Sequence, residues 1–356
     1  MDNLREVLEQ HAKIYPLMQP CDAVKLIYQN EFGGKHLTED EAACEASIHH
    51  EMAALTAFED IQDSGKLSES IGNGLVRLNL ANALPAGISP EHIHKLLMAS
   101  AKRIYGSETS FERKLAVLEA MASENRFGFT AGVLRDYLEE YQAQEYPPVH
   151  HSAAYRAAYA PAYRVIDGRY LRLLPVIVEI ERLLRQKERV VLGIDGQAAS
   201  GKTTAAELLA SVYDANVIHM DEFFLPQALR TPHRLEECGG NIHYERFKEE
   251  VICGLKKKVE FSYRVYDCSS AEYAANRTVS PQRLCIIEGA YCLHREIRGI
   301  YDLKVFFSIC AEEQRRRILK RNGEKQYKRF EEQWIPMENR YIEKEHIQDL
   351  CSIHIE

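Results

Sequence analysis

The sequence predicts an α/β domain over residues 175–356, a parallel sheet flanked by helices, preceded by an all-helical domain over residues 1–145. Three observations predict it. Apolar residues at helical spacing run through the first 145 positions, interrupted by glycine-rich breaks. Short β-rich apolar runs alternate with helical stretches after residue 190. Between one such run and a helix, Gly196, Gly201, Lys202 and Thr203 fit the pattern G-x-x-x-x-G-K-[ST] of a phosphate-binding loop.

Composition sets the bounds. A chain of 356 residues has room for two or three domains. It is 46% hydrophobic and 28% charged, ordinary for a chain that buries a full core. The net charge of −8 argues against nucleic acid or an anionic membrane as partner. Nine cysteines, from Cys21 to Cys351, include no C-x-x-C pair, so they read as reduced thiols filling the core of a cytoplasmic protein. The opening MDNLREVLEQ is charged and reads as no signal peptide, and no run of eighteen apolar residues reads as a membrane span.

From Asn3 to about Tyr141 the chain reads as helices and little else. Ile48, Met52 and Leu55 follow i, i+4, i+7 spacing, as do Phe111, Leu115 and Leu118, and Leu134, Leu138 and Tyr141. Ser89-Pro90-Glu91 opens another helix with a hydroxyl cap, a proline in the first turn and an acid, and Ile93, Leu96 and Leu97 form its buried face. Gly33-Gly34, Gly72-Asn73-Gly74 and Pro85-Ala86-Gly87 mark breaks. His36, His49, His50, His92 and His94 lack metal-site spacing and read as solvated or capping side chains. Asn73, Arg77 and Asn79 read as a turn and a helix surface. Tyr146-Pro147-Pro148 stops the preceding helix, and residues 146–174 read as a linker and packing segment. Tyr155, Tyr159 and Tyr163, at helical spacing, read as a stripe packed against a neighbouring domain. Pro175 opens a helix to Lys187 with Ile177, Ile180 and Leu184 inward.

Val190, Val191, Leu192 and Ile194 read as a strand buried on both faces. In the loop that follows, Gly196, Ala198, Ala199, Ser200, Gly201, Lys202, Thr203 and Thr204 are the candidate ATP-binding residues. Glycines let successive N–H groups converge on one anion, and the helix behind adds its positive end. Lys202 is a point charge for the β- and γ-phosphates; the Thr203 hydroxyl is a candidate Mg²⁺ ligand. Further strands are expected at Val217–Met220, Leu284–Ile287, Leu303–Ile309 and Cys351–Ile355. Two of them end at carboxylates, Asp221 and Glu288. In a parallel sheet the ligand lies beyond the carboxyl ends of the strands, which puts both acids on the rim of the phosphate loop. One would hold Mg²⁺ and the other would accept the proton of an attacking hydroxyl. Arg315, Arg316, Arg317, Lys320 and Arg321 lie on a basic helix from which one or two arginines would meet the transferred phosphoryl group.

GIDGQAASGKTT, HMDEFFLP, GGNIHYERF, VYD, IIEGAY and RRRILKRNGE, in this order, resemble the uridine kinase and phosphoribulokinase family of P-loop small-molecule kinases. The resemblance covers residues 175–356. It implies a kinase that uses ATP and Mg²⁺ to phosphorylate a hydroxyl on a small molecule, with a nucleoside leading among the acceptors. It implies Asp221 as general base, Thr203 and Glu288 on the magnesium side, Arg316 as a lid arginine acting with Lys202, and Tyr266, Asp267, His243 and Arg277 on the substrate side. The family's nucleoside kinases carry an aspartate near His243 and a histidine shortly after the VYD-like motif; this chain reads CSSAEY there, which leaves pantothenate, glycerate, nicotinamide riboside or another alcohol open. A second reading is a nucleotide-gated regulatory or binding protein whose helical first half is the output. A homo-oligomer is left open.

Overall fold

The computed structural model describes residues 4–56 and 66–356. Residues 57–65, inside the stretch read as helical, lie outside the described residues. The chain divides into two compact units, Met1–Leu171 and Arg172–Glu356.

The first unit carries the expected helices, among them Leu4–Ile14, Pro20–Phe32, Glu41–Thr56, Pro90–Ala101, Glu108–Ser123 and Ala131–Ala143. Ser89 and His92 form a capping box, and the His92 ring accepts the Ser89 amide at 2.8 Å. Leu8, Ile27, Phe111, Leu118 and Leu134 are fully buried in one core; each contributes about 1.5–3 kcal/mol by burial.

The unit also holds a sheet that the sequence reading lacks. Strands β1 (Ser68–Gly72), β2 (Leu75–Asn79) and β3 (Tyr163–Asp167) pair antiparallel in the order β1-β2-β3. Gly72, Asn73 and Gly74 all have positive φ, so the triplet is a hairpin turn rather than a helix break. Arg77 is therefore a buried strand residue and not a helix-surface one, while Asn79 caps the next helical turn by accepting from Ala81 N and Asn82 N. The segment read as a linker supplies the short helix Ala153–Tyr159 and then β3. The tyrosine stripe is thus split between a helix and a strand, and it packs inside this unit: Tyr155 and Tyr159 lie 5.2 and 5.0 Å from the Tyr15 ring.

In the second unit the helix Leu174–Gln186 leads into β4 (Val190–Gly196), which is buried along its whole length. The strands β5 (Asn216–His219), β8 (Leu284–Glu288), β9 (Leu303–Phe307) and β10 (Ile353–Ile355) complete a five-stranded parallel sheet in the order β10-β9-β4-β8-β5. All five were legible as apolar runs. Between β5 and β8 lies an antiparallel hairpin, β6 (Phe261–Asp267) and β7 (Glu272–Val279), that was not. The central β4 runs between β8 and β9, so its carboxyl end opens at the middle of the sheet rim, where the next helix, Lys202–Tyr213, begins. Among the described residues no helix is long and apolar enough to cross a membrane, and all nine cysteines are free thiols.

Candidate active site

The loop from Gly196 to Thr203 is shaped by backbone that only glycine tolerates. Gly196 has φ 139° and packs so closely on β9 that a Cβ there would sit 2.0 Å from the Phe307 carbonyl oxygen. Gly201, at φ 104°, turns the chain into the helix, and a Cβ there would meet nothing within 4 Å. The amides of Gly201, Lys202 and Thr203 have no acceptor among the described residues. The Ser200 hydroxyl oxygen is buried and equally without a partner. This is a cradle of donors at a helix N-terminus, which fits a phosphate. Lys202 is buried and folds back over it, its Nζ donating to Gly196 O at 2.7 Å and Gln197 O at 2.9 Å.

Facing the loop is a cavity of about 1050 Å³. Lys202, Thr203, Asp221 and Glu288 share its wall. The Thr203 hydroxyl donates to Glu288 Oε1 at 3.1 Å, and the His219 ring donates to the same oxygen at 2.6 Å. That bond is the main reason the imidazole holds its proton more firmly than usual. A hydroxyl and a carboxylate at this spacing, beside a phosphate cradle, are the oxygen donors a magnesium ion takes. Asp221, two residues beyond β5 in a helical turn, is exposed on the cavity wall. The protein closing around it, and then Glu288, push its carboxyl above the ordinary range, while Lys202, His219 and Arg321 pull it back. Solvent in the cavity tempers that push.

The lid differs from expectation. Arg316 is 65% exposed and spent on Glu313, at 2.6 Å, outside the cavity lining. Arg317 and Arg321 line the cavity instead, and Arg317 donates to Ala199 O in the loop at 3.1 Å. The reason is helical geometry: Gln314, Arg317 and Arg321 share the face that meets the loop, where Gln314 donates to Ala198 O at 3.0 Å. The helix Ala311–Arg329 breaks at Gly323, whose φ of 75° is not helical.

The four substrate residues drawn from the resemblance do not line the cavity. Tyr266 is buried against Tyr273. Asp267 accepts from Ser269 N and Oγ in a local turn. His243 is half-buried and lies off the cavity wall. Arg277 pairs with Glu222 at 2.7 Å, and Glu222 also accepts from the Tyr263 hydroxyl at 2.6 Å. Together they anchor the residue next to Asp221. The wall beside Asp221 is made instead by Phe224, Arg230, Leu235, Asn241, Cys268 and Ser269. Asn241 Oδ1 is buried there with no partner, an acceptor without a donor. A second residue the sequence concealed is Glu338, on the helix Ile335–Lys344, whose carboxylate accepts the Ala198 amide at 2.8 Å.

The chain is similar to known uridine kinase-like proteins over part of its length. The chain is 28% identical over 121 residues to uridine-cytidine kinase C of Dictyostelium discoideum, covering 33% of this chain and 27% of that protein. It is 27% identical over 145 residues to uridine kinase-like protein 4 of Arabidopsis thaliana, covering 38% and 31%. The C-terminal half resembles uridine kinases. The chain spans about a third of the length of these curated relatives. Among solved structures, a possible uridine kinase from Bacillus stearothermophilus matches with TM-score 0.38 and 23% identity, over 51% of this chain and all of that one. A protein described as a fructose transport system kinase from Silicibacter sp. TM1040 matches with TM-score 0.40 and 22% identity, over 47% and 92%. No protein-family model matches the chain.

Proposed function

We propose that the second unit transfers the terminal phosphoryl group of ATP, with Mg²⁺, to a hydroxyl of a small molecule, a uridine-like nucleoside being the first acceptor to test. The observation that carries this is one cavity wall holding a donor cradle, a Thr203–Glu288 oxygen pair and, beside them, Asp221. The free amides and Lys202 would bind and orient the phosphate tail. Thr203 and Glu288 would hold the metal, which supplies charge to the phosphate oxygens when bound. Asp221 would accept the proton of the attacking hydroxyl; a carboxyl raised above its ordinary range is a stronger base once ionised. Asn241 would accept a hydrogen bond from the acceptor, and Arg317 and Arg321 would spread positive charge over the phosphoryl group in flight.

The test is coupled ADP release on a panel of nucleosides, vitamins and polyols. At least one acceptor should raise ADP release well over tenfold above the rate without it. Slow hydrolysis indifferent to every alcohol overturns the kinase reading and favours a nucleotide-operated switch.

Glu338 makes a pH prediction. Burial first, with Asp195 and Asp221 adding to it, pushes its carboxyl up to about 7 against the pull of Lys202 and the Ala198 amide. Nucleotide phosphates approach the same loop. Protonated Glu338 is neutral and tolerates them; ionised Glu338 repels them. The dissociation constant for ADP should therefore rise as pH increases through about 7. Glu338→Gln, neutral throughout, should flatten that rise and tighten binding about tenfold at pH 8, an effect of about 1.4 kcal/mol. Titration calorimetry of both proteins from pH 6 to 8.5 checks it, and parallel curves would refute it.

A further inference from the structure

The first unit contains a pocket that the kinase chemistry does not use. Its volume is about 360 Å³, the lower end of small-ligand sites, and its wall is Lys25, His150, His151, Arg156, Ala160 and Pro161. Four of these six carry basic side chains and none is acidic. No carboxylate pairs with Lys25, His150 or Arg156 among the described residues, in a chain whose net charge is −8. Asp22, whose charge reaches Lys25, is already committed. It accepts from His151 Nδ1 at 2.8 Å, Ser152 N at 3.0 Å and Ser152 Oγ at 2.7 Å.

Two side chains of the wall, His151 and Lys25, are held by hydrogen bonds, while His150 and Arg156 are exposed at its mouth. With Nδ1 donating to Asp22, His151 Nε2 accepts from the Tyr163 hydroxyl at 2.5 Å, and the ring lies flat on Tyr155 at 4.1 Å. Tyr163 in turn faces the buried Arg77, whose guanidinium stands 4.6 Å over its ring and donates to Gln29. Lys25 is fixed by donation to Val149 O at 2.6 Å. Burial, and then Arg77, bring the Lys25 ammonium down to about 8. Burial first, and then Lys25, weaken the hold of His36 on a proton, against Glu39. Ala160 sits in the left-handed region, φ 40° and ψ 56°, a strained conformation for a residue with a Cβ, at the rim of this pocket.

We propose that this pocket binds the phosphoryl group of a small phosphorylated molecule, with Lys25, His150 and Arg156 as its direct contacts and Asp22, His151 and Tyr163 as the frame that positions them. A single arginine fork satisfies a carboxylate; an ammonium, a guanidinium and an imidazole around one small volume offer separate donors to a dianion with three free oxygens. The alternative is a purely structural clip fastening residues 150–163 to the helix Pro20–Phe32. A clip accounts for Asp22, His151, Ser152 and the bond from Lys25 to Val149 O, and leaves His150 and Arg156 facing the same space as the Lys25 ammonium with no carboxylate paired to them among the described residues.

The test is site-resolved, because the phosphate loop of the second unit also binds phosphate. The full chain is acylated at pH 7.5 with a limiting anhydride, and each lysine is followed by mass spectrometry with inorganic phosphate, uridine 5′-monophosphate or malonate present. Inorganic phosphate and the monophosphate should slow Lys25 at least about fivefold while leaving the exposed Lys13 unchanged. Arg156→Gln should abolish that protection with unchanged circular dichroism, and Lys202→Met should leave it intact. If Lys25 does not acylate, the ring resonances of His150 and His151 under the same titrations give the same contrast. The proposal falls if phosphate and the monophosphate alter neither readout, if malonate protects as well as phosphate, or if Lys202→Met removes the protection. Stronger protection by the monophosphate than by inorganic phosphate identifies an ester as the ligand; equal protection identifies free phosphate, and either supports the phosphoryl site.

Discussion

Asp221→Asn should lower turnover by about a thousandfold and leave nucleotide affinity within about twofold. The amide keeps the size of the carboxylate and removes its ability to take a proton. The loop amides, Lys202 and the Thr203–Glu288 pair are untouched by the change, so the phosphate end of the cavity keeps its contacts. The pH profile carries the second half of the prediction. Asp221 must be ionised to act as base, and its carboxyl is held above the ordinary range by enclosure and by Glu288. Turnover of the unmodified chain should therefore fall on acidification sooner than an ordinary carboxylate would dictate. The residual activity of Asp221→Asn should lack that limb. Initial rates with the best acceptor, at saturating ATP from pH 5 to 9, measure both. Near-normal turnover in the variant would remove Asp221 from the base role and leave it as a metal-side acid.

How far the site could be read from sequence follows from which forces act locally. The five parallel strands are apolar on both faces, so each announces itself as a continuous run. Residues that end those strands inherit their position from the sheet. That is why Glu288 and the loop after β4, and Asp221 a turn after β5, reach one cavity, as their places in the chain imply. The hairpin of β6 and β7 gave no such signal, because β7 (EYAANRTV) is exposed along all but its last residue and pairs only with its neighbour. The first unit's sheet was concealed for a related reason. Its three strands have five residues each, and β1 (SESIG) is mostly polar, with β3 lying some ninety positions further on. Glu338 and Asn241 depend on long-range packing: Glu338 meets Ala198 across 140 positions. A lone glutamate on an amphipathic helix carries no mark of that encounter. Asn241 lies inside GGNIHYERF, and its place on the cavity wall, not its lack of a partner, distinguishes it from His243 two residues on, whose buried Nδ1 is equally unpaired.

The lid offers the sharpest contrast between neighbours. Arg317→Gln should reduce kcat by about a hundredfold, whereas Arg316→Gln should stay within about twofold. Arginines that neutralise a transferring phosphoryl group are worth about 10³–10⁵ in rate where they act alone. Here Arg321 shares the cavity wall with Arg317, so part of the charge survives the first substitution. Arg316 and Arg317 both grip Glu313, at 2.6 and 2.7 Å, and together hold its carboxyl down at about 2. Pairing with Glu313 therefore does not separate them; direction does. One helical step turns a side chain by about 100°, enough to send Arg316 outward and Arg317 onto the carbonyl of Ala199. Because Arg317 also braces the loop, its loss could act on loop shape rather than on charge. Arg317→Lys separates these effects: it keeps a cation but loses the planar fork, so a charge role predicts partial recovery of kcat at unchanged ADP affinity. Equal losses in the Arg316 and Arg317 variants would show that the closing segment rearranges before phosphoryl transfer and would discard this assignment.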